Sequence, residues 1–176
     1  MKAIVVHQYG GPEVLKYEDY PDPVAGQGEV LVRVAATSVN PIDYKRRAGL
    51  TKDFYPIKFP GLIGVDVAGT VINTGPGVEG FSIGDGVFAM ADNTYAELCV
   101  VNAEVLAKTP KGLDLIQAAA LPLVTTTGNQ SSFSYGHPCG SDDCGRRRGR
   151  KCWAFGSIHC EGTRGESGRR CSKEAD

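Results

Sequence analysis

Gly28-Glu29-Val30-Leu31-Val32-Arg33-Val34-Ala35-Ala36-Thr37-Ser38 places Val30, Val32 and Val34 on one side of an extended chain and Leu31, Arg33 and Ala35 on the other. Successive side chains of a strand point to opposite faces, so this alternation predicts a strand with one face on a core. Similar runs lie on both sides. Towards the amino terminus, Ala3-Ile4-Val5-Val6 and Leu15-Lys16-Tyr17-Glu18-Asp19 flank the turn residues Gly10-Gly11-Pro12 and predict an opening hairpin. Towards the carboxy terminus, the predicted strands are residues 66–72, 85–89, 95–101 and 104–108. Short strands at this spacing predict a barrel or sandwich.

Two segments carry helical signals. Asn40-Pro41-Ile42-Asp43-Tyr44-Lys45-Arg46-Arg47 has a capping residue followed by proline at the first helical position. Asp114-Leu115-Ile116-Gln117-Ala118-Ala119-Ala120-Leu121 has an acidic start and good helix formers, with Pro122 read as the stop.

The chain has 176 residues with a formal net charge of -1, so nothing at whole-chain level points to nucleic acid or an anionic membrane as partner. The apolar run at the start is too short for a signal peptide, and no later stretch is long enough to span a bilayer. A cytoplasmic location and a small-molecule partner are therefore expected. Composition changes sharply near residue 130. From Ser131 to Asp176 the only leucine, isoleucine, valine or methionine is Ile158, while five of the six cysteines and a cluster of arginines fall there. Such a composition cannot supply a buried core. The expected organisation is a domain over residues 1–128 followed by an aberrant Gly/Arg/Cys-rich tail over 129–176, irregular or disordered.

Several spaced segments occur together in one known family. Gly28-Glu29-Val30-Leu31-Val32-Arg33-Val34, Asn40-Pro41-Ile42-Asp43, Phe59-Pro60-Gly61, Gly64-Val65-Asp66-Val67-Ala68-Gly69-Thr70-Val71, Gly84-Asp85-Gly86-Val87, Tyr95-Ala96-Glu97 and Leu121-Pro122-Leu123-Val124-Thr125-Thr126 follow one another in family order. In this the chain resembles the amino-terminal GroES-like domain of the quinone-oxidoreductase-like, zeta-crystallin-like, zinc-free medium-chain dehydrogenases/reductases. The resemblance implies a mainly β fold, a partly open barrel with a few short helices. It also implies hydride transfer from NADPH to a quinone or conjugated carbonyl, in which the cofactor carries the reactive carbon and the protein supplies position and polarity. Zinc-dependent relatives have a cysteine where this chain has Asn40 and a His-Glu pair where it has Val65-Asp66, so no zinc is expected. In zinc-free relatives the position of Asn40 and that of Lys45, commonly tyrosine there, approach the nicotinamide, and Thr125 and Thr126 bring hydroxyls to the cofactor. These four are the candidate cofactor-binding residues; no catalytic side chain and no metal ligand is assigned.

Simpler roles stand beside these. Asn40 and Pro41 are also what a helix start requires, and Asp43 is expected to orient local structure rather than transfer protons. Gly61, Gly64 and Gly69 lack phosphate-loop spacing and are read as sites of close backbone packing. His7 has no ligand partner nearby, and Cys99 reads as a small core residue. In the tail, Cys139, Cys144, Cys152, Cys160 and Cys171 with His137 and His159 contain no Cys-x-x-Cys pair, so a zinc module is not favoured.

The family would continue past Gln130 into a nucleotide-binding domain opened by a glycine fingerprint, and the tail contains none. Read one base later, codons allowed for the tail permit a strand end, a GxGxxG turn and an amphipathic helix. Trp153 has a single codon and, followed by Ala154, forces glycine in the shifted frame at the third fingerprint position. The expectation is a truncated, frameshifted relative, inactive alone, with self-association through an exposed junction around Leu121, Pro122 and Leu123. Sequencing the coding DNA decides the frameshift, which fails if no single-base shift opens such a frame. The alternative from another class is a non-catalytic binding or interaction protein that uses the GroES-like scaffold and the basic tail.

Overall fold

The computed structural model describes residues 1–134. The chain splits into two units, Met1–Thr127 and Gly128–Asp176. The tail cysteines, histidines and arginines, together with the readings of that segment as disordered, metal-binding or frameshifted, lie outside the described residues.

The described residues form two antiparallel sheets. The smaller contains β1 (Lys2–Val6), β2 (Leu15–Asp19) and β4 (Gly61–Leu62), in the order β2-β1-β4. The opening hairpin pairs Lys2 with Asp19 and Val6 with Leu15. Its connection contains a short 3-10 turn over Pro12–Val14 that buries Val14. The larger sheet runs β7 (Leu98–Asn102), β3 (Glu29–Ala36), β5 (Asp66–Thr74), β6 (Gly86–Met90) and β8 (Ala107–Lys108). β7 and β8 end this order without pairing to each other, so the barrel is only partly closed.

The alternation in β3 does what its pattern requires. Val30 and Val32 are fully buried and pack with Val67, Val71, Val87, Cys99 and Val101, while Arg33 on the opposite face is exposed. Each fully buried valine contributes about 1.5–3 kcal/mol of transfer free energy. Register shifts in the β3–β5 pairing fall between Leu31 and Val32 and between Val34 and Ala36. β5 reaches β3 closely because of Gly69, where an added Cβ would sit 2.1 Å from the Arg33 carbonyl oxygen. Gly64, at φ +99°, would bring a Cβ to 2.4 Å from Thr94 Oγ1. These glycines serve close packing, as their spacing suggests.

Some boundaries differ from the sequence reading. Tyr95-Ala96-Glu97 precedes β7 rather than belonging to it; Ala96 forms an isolated bridge with Ala3. The segment read as a strand over 104–108 begins with a 3-10 turn, Ala103–Val105, started when the Asn102 side chain accepts the Glu104 N–H. Only Ala107–Lys108 remains for β8. β4, two residues long, carries too little pattern to be found in advance.

The helices are α1 (Pro41–Arg47), α2 (Leu115–Ala118) and α3 (Pro122–Ser134). α1 starts with Asn40 as cap and proline at the first position, as predicted. α2 starts where the Asp114 side chain accepts the Ile116 N–H. Pro122 corrects the sequence reading, because it does not simply stop a helix but also opens the next one. Proline lacks only an N–H that the first turn leaves unbonded in any case, so one residue ends α2 and begins α3. α3 then continues through Gly128 to Ser134, past the point where an irregular tail was expected.

Candidate functional site

Asp66 opens β5 and has no exposed surface. Burying a carboxylate is costly unless donors surround it, and here three converge on it. Oδ2 accepts from the Ser38 hydroxyl and from Asn40 Nδ2 at 2.8 Å. Oδ1 accepts the Leu123 backbone N–H at 2.8 Å. That last bond lies in the first turn of α3, where a negative charge is favoured by the helix dipole. The Asp66 carbonyl oxygen accepts the Thr37 hydroxyl at 2.6 Å. One residue thus fastens the loop after β3 to the start of α3.

A second buried carboxylate completes the α1 side. Asp43 Oδ2 accepts the Asn40 N–H at 2.7 Å and the Tyr95 hydroxyl at 3.0 Å, in a capping box at the start of the helix. Its Oδ1 is buried with no hydrogen-bond partner. Burial pushes the Asp43 carboxyl above its ordinary range, against the Asn40 and Tyr95 hydrogen bonds. Burial and the neighbouring Asp43 hold the Tyr95 phenol well above its own range, so it serves as a donor. Asp43 accordingly organises the turn, as its isolated position in the sequence suggested.

The four candidate residues are placed unequally. Asn40 is 8% exposed, its amide turned inward to Asp66 and Ser38. Thr125 is half-buried on α3, and its hydroxyl donates to the Leu121 carbonyl at 2.7 Å, with Pro122 O at 3.0 Å. Thr126 is also half-buried, and Lys45 is exposed on α1. Asp66 therefore joins Asn40 to the helix that carries both threonines, while no described contact ties Lys45 to them. Sequence reasoning singled out Asp66 only as the residue standing where zinc-dependent relatives have glutamate. The signal it missed was an acidic residue inside an apolar strand run, which must be surrounded by donors.

A separate cleft of about 630 Å³ is bordered by Arg46, Tyr55, Asp92 and Cys99, and none of the four candidate residues lines it. Arg46 is buried there, 3.6 Å above the Tyr55 ring and 3.5 Å from Asp92 Oδ1. The Tyr55 hydroxyl donates to the same Asp92 carboxylate. This cluster ties the end of α1 to the turn before β7. His7 Nε2 lies 2.5 Å from Glu18 Oε1 across the opening hairpin. Among the described residues no group of three or more His, Cys, Asp or Glu side chains could hold a metal ion, and no helix is long and apolar enough to cross a membrane.

Residues 26–111, which run from the turn before β3 to just beyond β8, match the alcohol dehydrogenase GroES-like domain. A chloroplast envelope quinone oxidoreductase homolog of Arabidopsis thaliana is 35% identical over 136 residues. The chain belongs, through this domain, to the quinone-oxidoreductase-like medium-chain dehydrogenases/reductases. The Arabidopsis match covers 74% of this chain and 41% of the relative. An NADPH-dependent alkenal/one oxidoreductase of the same plant is 37% identical over 141 residues, covering 74% of this chain and 36% of the relative. Among solved structures, the Escherichia coli quinone oxidoreductase complexed with NADPH superposes with a TM-score of 0.68 at 30% identity, covering 75% of this chain and 40% of that one. The chain spans about two-fifths of the length of these relatives. The Asp66 cluster sits at the start of β5, inside the matched GroES-like segment, and reaches α3 outside it.

Proposed function

We propose that this chain derives from NADPH-dependent reductases of quinones or related conjugated carbonyls, and that its GroES-like domain faces the reacting end of the cofactor. The observation that carries this reading is the Asp66 carboxylate, which gathers Asn40 and the first turn of α3 around one buried group. The residues fit only that end of the cofactor. Asn40, Thr125 and Thr126 are neutral polar groups suited to an uncharged ring and its amide, whereas no glycine-rich turn between a strand and a helix among the described residues could cradle a pyrophosphate. When bound, NADPH supplies the hydride. The protein's part is to hold position and exclude water. In this reading Lys45, exposed on α1, brings a cation where relatives commonly carry a phenol.

The site is proposed to work without zinc. Val65 is apolar and 5% exposed, and both oxygens of Asp66 are already bonded to protein donors. The chain on its own is proposed to be inactive, because the described residues hold only one end of the cofactor. Fluorescence titration of the full chain with NADPH, followed by assays on a quinone and an enone, tests this. Negligible affinity and no turnover are expected. Tight binding with unaided reduction would overturn the proposed inactivity.

A further inference from the structure

The hydrogens around Asp66 can be followed to the last one. Asn40 Nδ2 has two, and both are spent: one on Asp66 Oδ2 and one on Ser38 Oγ, each at 2.8 Å. The Ser38 hydrogen goes to Asp66 in turn. A carboxylate only accepts. Turning the Asn40 amide over would set its Oδ1 against Asp66 Oδ2 and leave both oxygens buried without a donor, at a cost of about 1–3 kcal/mol or more. The backbone N–H of Asn40 is spent as well, on Asp43. The single hydroxyl hydrogen of Thr125 faces the Leu121 and Pro122 carbonyls at 2.7 and 3.0 Å. Both side chains keep only lone pairs to offer: one on Asn40 Oδ1 even when the capping box engages the other, and those of the Thr125 hydroxyl.

We infer that Asp66 is a positioning residue that fixes Asn40 as a hydrogen-bond acceptor, so that Asn40 and Thr125 receive an N–H- or O–H-bearing group and cannot polarise a substrate carbonyl. The inference rests on the cofactor-facing reading above and gives it a direction: the group received is of the carboxamide or sugar-hydroxyl class. Polarisation of a quinone or enone oxygen then falls to groups that still have hydrogens to give. Among the described residues on α1 and α3, Thr126 and Lys45 are such groups, since no described contact uses theirs.

The test needs no turnover. In the ¹⁵N-labelled full chain, the side-chain NH₂ pair of Asn40 should exchange with solvent roughly tenfold or more slowly than that of exposed Asn73. In Asp66→Asn that ratio should fall towards one, and the Leu123 amide should lose protection with it. Should Asp66→Asn not fold, Ser38→Ala keeps the carboxylate and removes one acceptor, so a single member of the Asn40 pair should speed up. An Asn40 pair exchanging as fast as that of Asn73 in the unaltered chain would overturn the inference. Ligand identity is read separately by adding NADPH, or its 3-acetylpyridine analogue, which lacks the carboxamide hydrogens, at millimolar concentration. Asn40 and Thr125 resonances should move with NADPH and stay with the analogue. Equal movement with both would overturn the donor-receiving role. No movement with either would defeat the cofactor reading, while slow exchange at Asn40 would still support Asp66 as the residue that sets its polarity.

Discussion

Tyr95 donates its hydroxyl hydrogen to Asp43 Oδ2 at 3.0 Å, and the other oxygen of that carboxylate is buried with no partner. Burial raises the Asp43 carboxyl above its ordinary value of 3.8, so the folded chain binds this proton more tightly than the unfolded chain does. The stability it contributes is fully present below the ordinary value and is lost as pH rises through the raised one. Urea midpoints measured from acid upward should therefore fall less across the carboxylate range in Asp43→Asn than in the parent. Tyr95→Phe removes a bond that pulls the Asp43 value down, so its loss with rising pH should reach further, with a stability cost of about 1–3 kcal/mol. Parallel curves for the parent and Asp43→Asn would show that Asp43 does not titrate in this way.

The same substitution should act in opposite directions at two glycines. Gly69→Ala places a methyl group 2.1 Å from the Arg33 carbonyl, in the central strand pair, and should cost about 1–3 kcal/mol or prevent folding. Gly128→Ala meets nothing within 4 Å inside α3 and should favour the helix by up to about 1 kcal/mol. Urea unfolding followed by circular dichroism measures the first, and amide exchange along residues 122–134 the second. Gains or losses of the same sign at both positions would contradict the packing described.

Cys99 is buried against Val30, Val32 and Val101, and burial pushes its thiol up to about 12. A thiol held so far above neutrality has almost no thiolate to react. After brief iodoacetamide treatment of the native chain at pH 8, the peptide containing Cys99 should remain unmodified, and denaturant should make it label fully. Rapid labelling under native conditions would mean that the β3–β7 pairing opens readily.

The apolar junction expected around Leu121, Pro122 and Leu123 is narrower than the sequence suggested. Pro122 is buried and its two neighbours are half-buried, because Asp66 draws the first turn of α3 onto the domain through the Leu123 N–H. Val124, 49% exposed, is the apolar side chain left outside. If the chain self-associates through this turn, Val124→Ser should reduce the light-scattering mass at high concentration. A parent that is monomeric throughout would dispose of the idea.

The larger sheet was legible because Val30, Val32, Val67 and Val71 repeat at the period of a strand, and period-two burial leaves a strong trace in sequence. Its ends were harder to read. The boundary at Leu98 depends on the Ala3–Ala96 bridge, and the 3-10 turn over Ala103–Val105 on a single side chain of Asn102. Helix α3 was missed because Thr125-Thr126-Thr127-Gly128 are poor helix formers, and the capping carboxylate lies at Asp66, 57 residues before Leu123. In the site, Asn40, Thr125 and Thr126 were reached by resemblance. The direction in which the Asn40 amide must face depends on Ser38 and Asp66 together, which only the fold brings within 2.8 Å.

Pro122 closes one helix and opens the next, and Asp66 grips the residue immediately after it. The rotational phase of α3 is therefore set within the GroES-like core. An extra residue between Ala120 and Pro122 would turn every later side chain of that helix by about 100° relative to Asp66. Segment lengths here carry angular information, so natural insertions should be tolerated in the loops between strands and excluded from these few positions.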